Sequence, residues 1–183
     1  MRTLAIVVTL AACCCGPASQ ADGVSEYGYE VLHAFPHDPN AFTQGLVYLN
    51  GFLYEGTGLP GESSIRKVKL ETGEVLQKRD VPDPYFGEGI VNWSDRLLAL
   101  TWRAEAGFIY DLTTFAPKGD FKYPGEGWGL TPDCKRIIMC DGTAELRFWD
   151  PETLQETGRV TVTDSYGRPV QNLNELEWVN GEV

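Results

Sequence analysis

Four short stretches align along the chain: Gln44-Gly45-Leu46-Val47, Glu88-Gly89-Ile90-Val91, Trp128-Gly129-Leu130-Thr131 and Asn174-Glu175-Leu176-Glu177. Their period is about 43 residues, in the range of repeat architectures. Each runs into a turn, at Asn50-Gly51, Ser94-Asp95, Pro132-Asp133-Cys134-Lys135 and Asn180-Gly181. In the first three units a β-type run follows, over residues 52–54, 96–101 and 136–139. A third run covers 65–70, 107–112 and 145–149, and a fourth covers 75–81, 118–123 and 157–162. None of these runs carries the 3.6-residue periodicity of a helix.

Four short antiparallel strands per unit, repeated near every forty residues, predict an all-β chain built of propeller blades. A β-sandwich also uses short strands and tight turns, but it does not require the same local order in each unit. Composition agrees with a β fold. The 183 residues include 5 Trp, 8 Tyr, 8 Phe and 20 Gly, a bias toward pleated surfaces and turns. Hydrophobic residues make up 43% and charged residues 22%, which excludes wholesale disorder.

The net charge is −11. Nucleic acid is therefore not an expected partner, because gripping its backbone takes a basic face that displaces counterions. An anionic membrane surface is not an expected partner of the folded part, on the same ground. The acids are scattered rather than clustered, as on a solvated surface.

The N-terminus reads as an address. Residues 1–21 form an export signal: Arg2 is a minimal basic region and residues 4–12 are an apolar run too short to span a bilayer. Two processing readings stand side by side. Ser19-Gln20-Ala21 offers small residues before Asp22, whereas Leu10-Ala11-Ala12-Cys13 looks like a lipobox that places a lipid anchor on Cys13. Both put the domain, residues 22–183, outside the cytoplasm, in the periplasm or secreted.

Cys134 and Cys140 flank one strand. At ~3.3 Å per residue that strand separates them by ~20 Å, beyond disulfide reach, so no bond between the two is expected. His33 and His37 have no cysteine or acidic cluster at ligand spacing, and no metal site is expected.

The repeat also points to a site. In a propeller the first strand of each blade lines the central channel, so equivalent positions converge on the axis. The first position of the four quartets holds Gln44, Glu88, Trp128 and Asn174. A position serving only packing would repeat its residue type, and this one does not. Two amides, a carboxylate and an indole make a recognition set with one candidate acid/base, Glu88. Phe42 and Phe86 stand two residues earlier and Trp102 ends the second run of its unit. An apolar wall of this kind raises the proton affinity of a carboxyl. Each aromatic taken singly also fits ordinary core. Glu126, Asp141 and Glu175 compete for the acid/base role, with Asp141-Gly142-Thr143 reading better as a structural turn.

Phe42-Thr43-Gln44-Gly45-Leu46, Tyr54-Glu55-Gly56-Thr57-Gly58, Phe86-Gly87-Glu88-Gly89, Leu100-Thr101-Trp102, Gly125-Glu126-Gly127-Trp128-Gly129-Leu130-Thr131, Asp141-Gly142-Thr143 and Leu173-Asn174-Glu175-Leu176-Glu177 occur in this order. From about residue 27 to 183 the chain resembles the plant and bacterial type of glutaminyl cyclase, of the glutamine cyclotransferase family. The resemblance implies a five-bladed propeller, no metal and no cofactor. It implies that the amine of an N-terminal glutamine attacks its own side-chain carboxamide, giving pyroglutamate and ammonia. Glu88 would carry the proton, Gln44 and Asn174 would bind the substrate amides, and Phe42, Trp102 and Trp128 would wall the pocket. Its partners would be peptides or proteins bearing N-terminal Gln, acted on by a monomer.

The family continues beyond the Asn174 motif into a fifth blade, which supplies a further Trp and a Lys. The expectation is thus a propeller truncated within its fourth blade, lacking roughly 70 residues at this period. Residues 29–35 would supply the outer strand of the last blade, which closes the ring, and here that strand is expected to have no blade to join. Two other readings remain at this level: a non-catalytic propeller that binds a peptide terminus or small ligand, and an inactive truncated product.

Overall fold

A computed structural model describes residues 27–183. The export signal and the lipobox lie outside the described residues. Twelve strands form three four-stranded antiparallel sheets. The first sheet joins β1 (Thr43–Leu49), β2 (Phe52–Thr57), β3 (Ser64–Lys69) and β4 (Glu74–Asp80) in chain order. The second joins β5 (Gly87–Trp93), β6 (Arg96–Thr101), β7 (Ala106–Asp111) and β8 (Pro117–Lys122). The third joins β9 (Leu130–Pro132), β10 (Ile137–Cys140), β11 (Glu145–Trp149) and β12 (Glu156–Thr161). These are the three complete units of the repeat, with strand limits within a few residues of those expected. Among the described residues no helix is long and apolar enough to cross a membrane.

Burial follows the order of strands in each sheet. The second strands are buried on both faces, as Leu97, Leu98, Ala99 and Leu100 of β6 show. Side chains alternate across a strand, and here the two faces serve two neighbours. Leu97 and Ala99 pack with Tyr54, Ile65 and Ile90 toward the first sheet. Leu98 and Leu100 pack with Leu130, Ile137, Met139 and Trp149 toward the third. The fourth strands β4, β8 and β12 face solvent along most of their length.

The turns explain the local chain reversals. Between β1 and β2, Asn50 and Gly51 both take positive φ, at 52° and 84°, the backbone that matches the twist of a tight hairpin. Between the third and fourth strands, Asp111 Oδ1 accepts hydrogen bonds from the Thr113 and Thr114 amides and the Thr114 hydroxyl. Asp150 repeats this arrangement with Glu152 and Thr153.

The innermost strands approach one another too closely for a side chain at the second position of the repeat. A Cβ at Gly45 would lie 2.7 Å from the Ile90 amide nitrogen, one at Gly89 2.4 Å from the Trp128 carbonyl oxygen, and one at Gly129 2.8 Å from the Glu175 nitrogen. The Gly89 N–H donates to that same Trp128 oxygen at 2.8 Å, which ties the second sheet to the third.

One expected strand is absent. Residues 174–177 pack against Gly129 as irregular backbone, and Glu175 takes a left-handed φ of 36° that interrupts extension. The turn at Asn180-Gly181 does form, closed by a bridge between Val179 and Glu182. Residues 29–35 join none of the three sheets; Tyr29 and Leu32 are exposed and only Phe35 makes an isolated bridge. A strand exists by its pairing, and this segment pairs with none of the three described sheets, as expected of a strand whose blade is not among them.

The axial contact generates a prediction. Gly89→Ala sets a methyl against backbone on the neighbouring sheet, where overpacking costs about 1–3 kcal/mol. Gly28→Ala, with nothing within 4 Å of the added carbon, serves as control and should change stability by less than about 0.5 kcal/mol. Urea unfolding of the two variants checks the difference; equal midpoints would show that the axis yields freely.

Candidate active site

Glu88 and Gln44 sit at equivalent places in adjacent sheets, and both interrupt their ladders. The register of β1 with β2 shifts between Thr43 and Gly45, and that of β5 with β6 shifts between Gly87 and Ile90. Such irregularities re-aim side chains. The outcome is a direct contact: Gln44 Nε2 donates to Glu88 Oε2 at 2.9 Å.

Glu88 is 6% exposed. Burial pushes its carboxyl up to about 7; the Gln44 hydrogen bond offsets part of this, and the Glu126 charge adds to it. A carboxyl in this range can both take and return a proton near neutrality. Phe86 and Trp102 pack on each other, with ring centroids 5.6 Å apart, and the Phe86 ring lies beside Gln44 over Gly58. Phe42 meets Phe86 edge-on at 6.0 Å but is 48% exposed, which makes it a rim rather than an inner wall.

Trp128 lies just before β9 instead of on it. Its amide donates to the Cys140 carbonyl at 3.1 Å, while the next amide, of Gly129, donates to the Cys140 thiol at 3.2 Å. Burial drives that thiol up to about 12, so it stays protonated and inert. The indoles of Trp102 and Trp128 both donate to Glu126 Oε2, at 2.6 and 2.9 Å.

Asn174 belongs to the same cleft as Gln44, of ≈ 620 Å³, which also includes His37, Phe42 and Glu175. Asn174 Oδ1 accepts from the Glu175 amide at 3.0 Å. The structure thus brings Gln44, Glu88, Phe86 and Trp102 into one cluster. Trp128 joins through Glu126, and Phe42 and Asn174 line the cleft with Gln44. Glu88 itself is not among the cleft's lining residues and is reached through Gln44. The hydrogen bond and burial at Glu88 mark the chemical centre better than the cleft's shape does.

The competing acids separate. Asp141 Oδ1 accepts from the Thr143 amide and hydroxyl, as expected of a turn. Glu126 is partly exposed and its carboxyl is held below the ordinary range, chiefly by the Trp128 N–H. Glu175 has both oxygens buried without a hydrogen-bond partner among the described residues. Burial above all, then the Glu177 charge, raises it to about 8; the nearby Leu46 amide opposes the rise without making a hydrogen bond of ordinary geometry. Glu175 therefore carries its proton at neutral pH.

A polar network that the sequence does not announce lies behind the site. Glu55, fully buried, accepts from Thr43 Oγ1 at 2.6 Å and from Arg66 Nε and an Arg66 terminal nitrogen at 2.9 and 2.6 Å, and pairs with His37 Nε2 at 2.8 Å. Arg66 also reaches Asp38 at 2.9 Å. The network clamps the segment before β1 and so holds Thr43, the neighbour of Gln44. The only sequence signal was Glu55 within Tyr54-Glu55-Gly56-Thr57-Gly58, an acid in an otherwise apolar run.

The glutamine cyclotransferase family model matches residues 4–183. A glutaminyl-peptide cyclotransferase of Arabidopsis thaliana is 47% identical over 158 residues, covering 84% of this chain and 48% of the relative. The crystal structure of Myxococcus xanthus glutaminyl cyclase superposes with a TM-score of 0.73 at 34% identity, over 80% of this chain and 62% of that one. The WD40 domain of Neurospora crassa Pan2 matches with a TM-score of 0.57 at 9% identity, over 73% of this chain and 41% of that one, a likeness of fold alone. The chain spans about half the length of the curated relative it matches.

The raised carboxyls have a consequence for stability. Between the unfolded value of 4.5 and the folded values of about 7 and 8, the native state binds more protons than the unfolded chain. The stability they confer is complete below about 4.5 and is lost as pH rises through 7 and 8. At ~1.4 kcal/mol per pKa unit, Glu88 accounts for roughly 3 kcal/mol of that loss. Urea midpoints should fall from pH 5 to pH 8, and Glu88→Gln should flatten the fall. An unchanged slope in Glu88→Gln would show that Glu88 titrates normally.

Proposed function

This chain belongs to the glutamine cyclotransferase family, and from that premise we propose that it carries the proton-shuttling and amide-gripping part of a glutaminyl-peptide cyclotransferase. The observation that carries the reading is Glu88: buried, hydrogen-bonded by Gln44, and with its carboxyl pushed up to about 7 by that burial. The substrates are peptides or proteins that begin with glutamine.

The reaction joins two ends of one residue. The α-amine nitrogen forms a bond to the side-chain carboxamide carbon, and the bond from that carbon to the amide nitrogen breaks. Glu88 takes the proton shed by the amine and delivers it to the departing nitrogen, which leaves as ammonia. Gln44 and Asn174 hold the amides, and Phe42, Phe86, Trp102 and Trp128 exclude water and enforce the folded rotamer. An intramolecular attack needs orientation and a proton carrier more than a protein nucleophile. The same economy supports a reaction without a metal or other cofactor.

The reading extends to context. Residues 1–21 direct export, with cleavage before Asp22 or lipid attachment at Cys13, and the protein works as a monomer in the periplasm or outside the cell. The short apolar run at residues 4–12 supports this, being of signal length.

A fluorogenic substrate with N-terminal glutamine, assayed with and without chelator, tests the proposal. Turnover that resists chelator is expected. Glu88→Gln should lower it by about 10²–10⁴-fold while leaving the circular dichroism of the fold intact. Turnover retained in Glu88→Gln overturns the role of Glu88. A soluble, monodisperse chain without turnover turns the reading to a binder of peptide ends.

A further inference from the structure

Glu126 has no part in the proton transfer, yet it touches both indoles of the proposed pocket. Trp102 follows β6 in the second sheet and Trp128 precedes β9 in the third. Both ring N–H groups converge on the single oxygen Oε2, at 2.6 and 2.9 Å. The other oxygen accepts from Arg103 Nε at 3.0 Å, and the Arg103 guanidinium lies 3.7 Å over the Trp102 ring. The backbone beneath the carboxylate is held in place. The Gly127 amide donates to the Trp102 carbonyl at 2.8 Å, and a Cβ at Gly127 would lie 2.3 Å from the Tyr123 hydroxyl.

An indole has one donor and no acceptor in its ring, and its outer torsion is broad unless something fixes it. A charged acceptor fixes that torsion more firmly than a neutral one. We propose that Glu126 is a positioning residue, which sets the ring planes of Trp102 and Trp128 through one shared oxygen and so shapes the slot for the first residue of the substrate. The slot's purpose rests on the cyclotransferase reading; the clamp itself rests on geometry alone.

The chemistry of the replacement makes the clamp testable. Three donors meet two carboxylate oxygens. Glutamine offers one oxygen and one NH2 group, so in either orientation at least one donor faces another donor. Glu126 also acts on Glu88 by charge, and Glu175 and the Tyr123 phenol are the other titratable groups that sense the Glu88 charge. Glu175 keeps its proton near neutrality, and burial pushes the Tyr123 hydroxyl up to about 12. Glu126 is therefore the ionised member of that set at pH 7, and removing its charge lowers the titration of Glu88.

The experiment uses the full chain labelled with 15N at the indole nitrogens, with signals assigned by single Trp→Phe variants. In Glu126→Gln the Trp102 or Trp128 indole proton, or both, should move upfield. Trp93, whose indole donates to Glu152 at 3.0 Å, should stay in place. KM for a glutamine-initial peptide should rise about tenfold, the scale of one charged hydrogen bond, with a smaller change in kcat. The acid limb of kcat/KM should shift to lower pH, and Glu126→Asp, which keeps the charge, should restore the limb. If Glu126→Gln does not fold, Glu126→Asp withdraws the oxygens by one methylene and the same indole shifts are read from it. Unmoved indole signals in a folded variant overturn the clamp. Moved signals in a chain without turnover uphold the clamp and overturn only the cyclotransferase reading.

Discussion

Backbone meets backbone at the centre of this molecule, and the site depends on that contact. Gly45, Gly89 and Gly129 let the innermost strands approach to distances at which no β-carbon fits. The approach brings the preceding residue of each quartet toward the axis. Gln44 and Glu88 are thereby carried from separate sheets into hydrogen-bond contact. The fourth quartet has Glu175 where the others have glycine. Its backbone completes the row by packing on Gly129, and its carboxyl enters the space beside Leu46. A pair of glycine neighbours thus determines where a carboxyl is desolvated, and desolvation determines its proton affinity.

Two levels of polar scaffolding support this centre, and they act differently. Glu55 is ion-paired and hydrogen-bonded on every side. Removing one of its partners would strand a buried charge, so the network resists local change and fixes the entry to β1. Glu126 is nearer to solvent and bridges two sheets through side chains that themselves form the wall. Its effect falls on orientation more than on global stability.

The fold was legible because each unit repeats its local instructions. Leu97 through Leu100 alternate between two neighbouring sheets, and the Asp111 and Asp150 turns use the same hydrogen bonds. The convergence of Gln44 and Glu88 followed from the repeat as well. Other features depend on contacts between units, which no local pattern encodes. The Glu126 bonds join residues 24 positions apart and two positions apart on one oxygen. The ladder shifts at Gln44 and Glu88 interrupt the regular alternation of a strand, and no local pattern announces them. Residues 29–35 have a strand's composition, but composition supplies no partner edge.

The pairing of Glu88 with a lowered acid nearby gives the site its chemical direction. Two carboxylates with similar environments would share one proton and titrate as a pair. Here burial raises Glu88, while the Trp128 N–H above all, helped by Arg103 and the Trp102 N–H, lowers Glu126. The split assigns the mobile proton to one residue and a fixed charge to the other. The fixed charge faces the mobile one and raises its affinity further. A single carboxylate therefore orients the aromatic wall and also helps to keep Glu88 poised near neutrality, so the wall's geometry and the site's proton affinity are coupled through the same atoms.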